Sequence, residues 1–345
     1  MRSIPFSPPD ITEAEIEAVA DTLRSGWITT GPKTKLFEEK VAEFFNTPKA
    51  VALGSCTAAL ETTLRILGIG EGDEVIVSAY TYTASAAVIS HIGAKIVMVD
   101  TAPESFLIDP EKLENAITDK TKILILSYPN NPTGAIMERE DLEAIAEVII
   151  KHDLYVISDE IYAELTYTSG HVSIASLPGM WERTIVVSGF SKAFAMTGWR
   201  LGYALGPAMI IEQMTKIHQF AIMCAPTTSQ YAAIAAMKDC DRDVANMRES
   251  YDQRRRYLLN AFREMGLPCF EPKGAFYMFP CIKEFGMTSE EFATRLLQEK
   301  KLAVVPGDAF GECGEGFLRI SYAYSLEELK EAIGRLKEFV EELRG

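Results

Sequence analysis

Metal-spaced histidine, paired cysteine and net positive charge are what this 345-residue chain lacks. Its four histidines, His91, His152, His171 and His218, show no metal-ligand spacing. Its six cysteines, Cys56, Cys224, Cys240, Cys269, Cys281 and Cys313, are scattered without a CxxC pair. That argues against a zinc site or a disulfide frame and fits reduced thiols in the cytoplasm. The net charge of −15 argues against a nucleic-acid footprint or an anionic-membrane surface. No apolar run reaches membrane-spanning length, and the first residues, MRSIPFSPPD, lack the apolar core of a signal peptide. There is no internal repeat, linker or low-complexity segment. What is present is an ordinary globular composition, 48% hydrophobic and 24% charged, enough for one large domain or a large and a small one.

The pattern along the chain starts with ITEAEIEAVADTLR, residues 11–24. Ile11, Ile16, Val19 and Leu23 have helical spacing, and Thr12 with Glu15 forms a capping box. A turn-rich stretch, SGWITTGPKTK, leads to a second helix over 35–46. Strands and helices then alternate. The strands are 50–53, EVIVSA (74–79), KIVMVD (95–100), KILILSY (122–128), LYVISDE (154–160) and TIVVSGF (184–190). They are apolar almost end to end, which predicts a parallel sheet buried on both faces and covered by helices. Beyond about residue 208 come a long helical stretch, 209–238, broken near Pro226, and another over 243–265. Short strands in GAFYMFP, LAVVPG and FLRISYA and an amphipathic C-terminal helix follow. The fold class is therefore α/β, with a large domain at 41–240 and a smaller α+β domain made of 1–40 plus 241–345.

Parallel sheets hold ligands at the carboxyl ends of their strands. After KILILSY comes PNNPTG, after LYVIS comes DEIY, and after TIVVS comes GFSK. Asn131, Asp159, Tyr162 and Lys192 thus stand at equivalent places in successive units. Ser55 and Cys56 in GSCT open a helix N-terminus, where backbone N–H groups bind phosphate. Taken singly, Asp159 reads as a helix cap, Asn131 as a turn residue and Lys192 as a snorkelling surface lysine. Together they fit one cofactor, pyridoxal phosphate. It needs an amine for a Schiff base, a carboxylate for the pyridine nitrogen, and donors for its phenolic oxygen and phosphate. The small and apolar neighbours of Lys192 would keep its amine deprotonated often enough to attack.

From about residue 120 to the end the chain resembles the class I aminotransferases, of the pyridoxal-phosphate transferase fold type I. The motifs that carry the likeness are YPNNPTGAI, ISDEIYAEL, GFSKAFAMTGWRLGY, PKGAFYMFP and GFLRISYAYS. The resemblance implies a Schiff base on Lys192, which also moves protons, with Asp159 on the ring nitrogen and Asn131 and Tyr162 on the phenolic oxygen. Arg200 is implied on the phosphate beside Ser191, Ser55 and Cys56, and Arg319 on the substrate α-carboxylate, with Asn131 next to it. Tyr82, eleven residues before Gly93, stands where an aromatic ring stacks on the pyridine; the bland alternative is a core tyrosine. Trp27 stands near the place of a tyrosine that reaches the partner subunit's phosphate.

The first 100 or so residues instead resemble the DegT-like nucleotide-sugar aminotransferases of the same fold type, in IPFSPPDITEAEIEAV, SGWITTGPKTKLFEEKVAEFF and GDEVIVSAYTYTASAAVISHIGAKIVMVD. The chain thus reads as a hybrid or chimera with a seam between about 100 and 125. The expected activity is amino transfer from an L-amino acid (aromatic, aspartate or glutamate-like) to a 2-oxo acid such as 2-oxoglutarate, in a ping-pong sequence. The alternatives are a nucleotide-sugar aminotransferase, a pyridoxal-phosphate-dependent C–S lyase, or a hybrid that binds the cofactor without turnover. The resemblance also implies a homodimer. No nucleic acid, membrane or metal partner is expected.

Overall fold

The computed structural model describes residues 11–102, 105–168 and 170–345. The segment MRSIPFSPPD, read above as no signal peptide, lies outside them. Helices α1 (Glu13–Arg24) and α2 (Pro32–Phe44) precede β1 (Ala50–Leu53). The alternation continues through α3 (Cys56–Ile66), β2 (Glu74–Ser78), α4 (Ala84–His91), β3 (Lys95–Val99), α5 (Pro110–Ala116) and β4 (Thr121–Ser127). It ends with α6 (Arg139–Lys151), β5 (Tyr155–Asp159), β6 (Thr184–Gly189), α7 (Phe190–Ala193) and β7 (Gly202–Leu205). Then come α8 (Ala208–Ile222), α9 (Thr227–Asp239), α10 (Asp241–Glu264), β8 (Tyr277–Met278), α11 (Ser289–Lys300), β9 (Val305–Pro306), β10 (Leu318–Ser321) and α12 (Leu326–Arg344).

The seven-stranded sheet has the order β1-β7-β6-β5-β4-β2-β3. Strands β2 to β6 pair in parallel, and β7 runs antiparallel between β1 and β6. The sequence pattern leaves β7 unassigned; its four residues begin inside the lysine motif, at Gly202 and Tyr203, and are too few to show a period of their own. The strands' lack of polar alternation has a direct cause. Ile123 and Ile125 of β4 face a core shared with Leu60 and Leu64 of α3 and Ile211 and Met214 of α8. Leu124 and Leu126 face the opposite core, with Leu142, Ile145 and Ile149 of α6. Each such buried aliphatic side chain is worth about 1.5–3 kcal/mol in transfer free energy. A separate core joins α10, α11 and α12 to the three-stranded sheet β8-β10-β9. Helix α11 is a further addition to the sequence reading.

Local signals at the N-terminus behave in two ways. The capping box forms: Thr12 Oγ1 accepts from Ala14 N at 3.3 Å, and Glu15 accepts from Thr12 N at 2.7 Å. The apolar stripe of α1 does not seek the core, however. Ile11, Ile16 and Leu23 are about half exposed, and Thr22 is the residue buried. Helical period here marks a helix without telling which face is covered.

Candidate active site

Parallel register aligns the strand ends: Ser127 of β4 lies beside Asp159 of β5, and Asp159 beside Val187 of β6. The chain leaves β4 through the PNNPTG turn. Asn130 Oδ1 accepts from Thr133 Oγ1 at 2.8 Å, and Asn130 Nδ2 donates to Tyr80 O at 2.9 Å. Gly134 has φ +74° and lies against Pro272, so a side chain there would be both strained and blocked. Its carbonyl accepts from Lys273 N and Gly274 N, each at 2.9 Å. The turn bearing Asn131 is thereby tied to the GAFY segment.

Asp159 is the electrostatic centre. Its Oδ1 accepts from Ile161 N at 3.2 Å and from the Cys56 thiol at 3.3 Å. No lysine, arginine or histidine among the described residues forms an ion pair with it. Burial pushes its carboxyl up to about 6, against the pull of these two donors. Burial and the adjacent Asp159 drive the Cys56 thiol well above its ordinary range, so it stays protonated and can donate. The thiol therefore serves the carboxylate. Ser55 caps that helix, accepting from Ala58 N at 3.0 Å. Gly202 of β7 lets the helix start approach: a Cβ there would meet the Ser55 carbonyl carbon at 2.6 Å and Cys56 N at 2.7 Å.

Lys192 lies on α7, half-buried, with Nζ 5.8 Å from the Tyr162 ring centre and 5.7 Å from that of Phe276. Burial lowers its pKa, and the charges of Arg319 and then Arg200 lower it further. That is the condition expected of an amine that must act as nucleophile and base. The loop after it is held in unusual backbone: Ala195 and Arg200 have φ of +53° and +55° without being glycine. Thr197 Oγ1 donates to Ser191 O at 2.9 Å, and Arg200 Nη1 donates to Thr197 O at 3.0 Å. The arginine's charge is thus held at the mouth of the site, on the exposed side.

Arg319 arrives from β10. Its Nη1 donates to Asn131 Oδ1 at 3.2 Å, and its guanidinium carbon lies 4.7 Å from the Tyr277 ring centre and 5.2 Å from that of Phe310. Its Nε is buried without a hydrogen-bond partner. Tyr162 is buried, with its hydroxyl 2.7 Å from that of Tyr277. Tyr82 is 53% exposed, which argues against the core alternative, and its phenol bears electrostatically on Tyr277. Trp27 is tied to its own loop: Nε1 donates to Thr30 O at 3.0 Å and the indole lies against Gly31. Sequence reasoning missed Tyr277, Phe276 and Phe310. The motif GAFYMFP contained the first two, but which of its aromatics faces the site depends on strand register.

A buried carboxylate without a cation, a half-buried lysine of lowered pKa and an arginine with an unpartnered buried donor form one constellation. It fits pyridoxal phosphate, whose protonated ring nitrogen supplies the missing cation and whose aldehyde suits the lysine. With this sheet order, the set defines a pyridoxal-phosphate-dependent transferase of fold type I.

Comparison with known proteins makes the assignment narrower. Residues 3–336 match the family "Aminotransferase class I and II", and the chain belongs to it. It is 47% identical over 276 residues to an aspartate aminotransferase of Pyrococcus abyssi, covering 79% of this chain and 71% of that one. It is 44% identical over 277 residues to aromatic-amino-acid aminotransferase 2 of Thermococcus litoralis, covering 79% and 71%. The crystal structure of an aromatic aminotransferase from Pyrococcus horikoshii superposes with a TM-score of 0.91 at 40% identity, covering 97% of this chain and 94% of that one. The chain is a pyridoxal-phosphate-dependent aminotransferase acting on amino acids. The family match runs straight through residues 100–125. Nothing in these similarities supports a seam there or a DegT-like origin for the first hundred residues.

Proposed function

We propose that the chain moves the amino group of an L-amino acid, aromatic, aspartate or glutamate-like, to a 2-oxo acid such as 2-oxoglutarate in a ping-pong sequence. The observation that carries this is Arg319, fixed by Asn131 on one nitrogen and carrying a buried Nε with no partner. An α-carboxylate supplies the acceptor in a two-point fork. The named donors of the two archaeal relatives support the donor range.

The geometry supports the following division of labour. When bound, pyridoxal phosphate supplies an aldehyde for the amine and a ring that accepts electron density from the substrate Cα. Asp159 holds the ring nitrogen protonated. Asn131 and Tyr162 donate to the phenolic oxygen. Arg200, Ser191, Ser55 and the first N–H groups of α3 take the phosphate. Tyr82 covers the ring face. Lys192 Nζ would take and return the proton at the substrate Cα. Its lowered pKa suits both directions.

The chain is further read as a homodimer. Trp27 and Ile28 on the α1–α2 loop, and Phe220, Ile222 and Met223 at the end of α8, are all at least half exposed. Thr30 Oγ1 donates to Met223 O at 3.2 Å and Thr227 Oγ1 to Thr29 O at 3.4 Å, joining the loop and the helix end into one apolar face. Trp27 then sits where a second copy would meet it. The division into 41–240 and 1–40 plus 241–345 is supported at its C-terminal part by the separate core of α10 to α12. Helices α1 and α2 pack on α9. The six unpaired cysteines support a cytoplasmic setting.

The test compares L-tyrosine with tyramine, its analogue without a carboxylate, as donors to 2-oxoglutarate. A site built around Arg319 should prefer tyrosine by at least about a hundredfold in kcat/KM. Equal use of the two amines would remove the reading of Arg319 as the carboxylate anchor.

A further inference from the structure

The hydroxyl of Tyr277 has no part in the roles assigned so far, yet it is buried in the middle of them. Tyr277 opens β8 and pairs with Ser321 of β10, two residues from Arg319. It is 6% exposed. Its hydroxyl reaches out of the three-stranded sheet to Tyr162, which follows β5 of the large sheet, at 2.7 Å. Its ring carries the Arg319 guanidinium at 4.7 Å. One side chain thus touches both the substrate anchor and a donor to the cofactor.

We propose that Tyr277 is a positioning residue that acts through Tyr162, donating its hydroxyl proton so that the Tyr162 proton is directed to the cofactor's phenolic oxygen. This rests on the cofactor placement given above. Two hydroxyls 2.7 Å apart share one proton between them. If Tyr162 donated to Tyr277, it would have none left for the cofactor. With Tyr277 as donor, the Tyr162 hydroxyl is polarised and becomes the better donor onward. The groups that bear on this pair are Asp159 and Arg319 on Tyr162, with Lys192 against its ring, and Arg319, Tyr82 and Tyr251 on Tyr277. Burial raises both phenols, so both remain protonated at neutral pH and both can donate.

The ring and the hydroxyl have separable tasks. Tyr277→Phe keeps the ring beneath Arg319 and removes the donor. Loss of one buried neutral hydrogen bond predicts roughly fivefold weaker pyridoxal phosphate binding. It also predicts an upward move of about half a unit in the pH midpoint of the bound cofactor's visible band, because a less stabilised phenolic oxygen holds its neighbouring proton more tightly. Affinity for succinate, a non-reacting dicarboxylate that takes Arg319, should stay within about twofold. Tyr277→Leu should weaken both.

The experiment is a cycle of wild type, Tyr277→Phe, Tyr162→Phe and the double variant, each titrated with pyridoxal phosphate and then with pH while the visible band is followed. The proposal requires Tyr277→Phe to shift the midpoint in the wild type and to add nothing in the Tyr162→Phe background. A midpoint unmoved by Tyr277→Phe, or an equal shift in both backgrounds, overturns it. So does a single variant in which succinate affinity falls while the cofactor band is unchanged. If wild type itself shows no visible band with added pyridoxal phosphate, the cofactor placement fails, and this proposal fails with it.

Discussion

Replacing Asp159 by asparagine keeps the shape of the side chain and removes its charge. In the cofactor-free chain, ionising Asp159 is harder than in water: burial lifts its carboxyl from 3.8 to about 6. That difference corresponds to about 3 kcal/mol. The sign is that of a raised acid. The proton is held more tightly in the folded chain than in the unfolded one, so this group's contribution is full below pH 3.8 and is lost as pH rises to about 6. Pyridoxal phosphate with a protonated ring nitrogen selects the ionised form, so its affinity for wild type should fall as pH drops below about 6. The neutral amide of the Asp159→Asn variant cannot make the ion pair. Losing a charge-assisted hydrogen bond in a dry site is worth about 1.5–3 kcal/mol, or roughly 10- to 150-fold in affinity. Titration with pyridoxal phosphate from about pH 5 to about pH 8 reads both effects. The Asp159→Asn variant should bind more weakly near neutral pH and lose the acid-side fall. Equal affinity and equal pH dependence in the two proteins would refute the assignment of Asp159 to the ring nitrogen.

Further expectations concern the groups around that carboxylate. Cys56→Ala removes a donor to Asp159 and should weaken pyridoxal phosphate by a few-fold, most at acid pH, while Cys56→Ser restores most of it; titration of the three proteins at about pH 6 decides, and indifference to the alanine would break the thiol–carboxylate link. Gly202→Ala puts a Cβ within 2.7 Å of the α3 backbone. It should cost about 1–3 kcal/mol, a fall of several degrees in Tm, with weaker cofactor binding as well. A thermal scan without any change would show that α3 is not held at this distance.

Much of the site is legible in the amino-acid sequence, for physical reasons that differ from residue to residue. Asn131, Asp159 and Lys192 stand at or just past the ends of apolar strands, so strand register carries them to one edge. The GSCT turn announces a helix start, and Ser55 caps it. Other features depend on contacts between elements far apart in the chain. Tyr277 meets Tyr162 only because β8 pairs with β10 and the whole unit docks on the PNNPTG turn. The Cys56 thiol sits on Asp159 because α3 starts close above β7, and β7 itself is a short strand that begins inside the lysine motif. The apolar stripe of α1 marks its helix without marking a buried face, since Ile11, Ile16 and Leu23 remain exposed. The resemblance of the first hundred residues to another branch suggests a seam that the continuous family match does not support.

The central claim is that Lys192 holds pyridoxal phosphate and works as the base of amino transfer. The direct measurement is the visible spectrum of the purified protein with pyridoxal phosphate as L-glutamate or L-aspartate is added, for wild type and Lys192→Ala. Wild type should show a yellow band that gives way to the shorter-wavelength absorption of the aminated cofactor, while Lys192→Ala should fail to complete that change on the same timescale. A wild-type protein without the band, or a Lys192→Ala variant that converts as fast as wild type, would contradict the account.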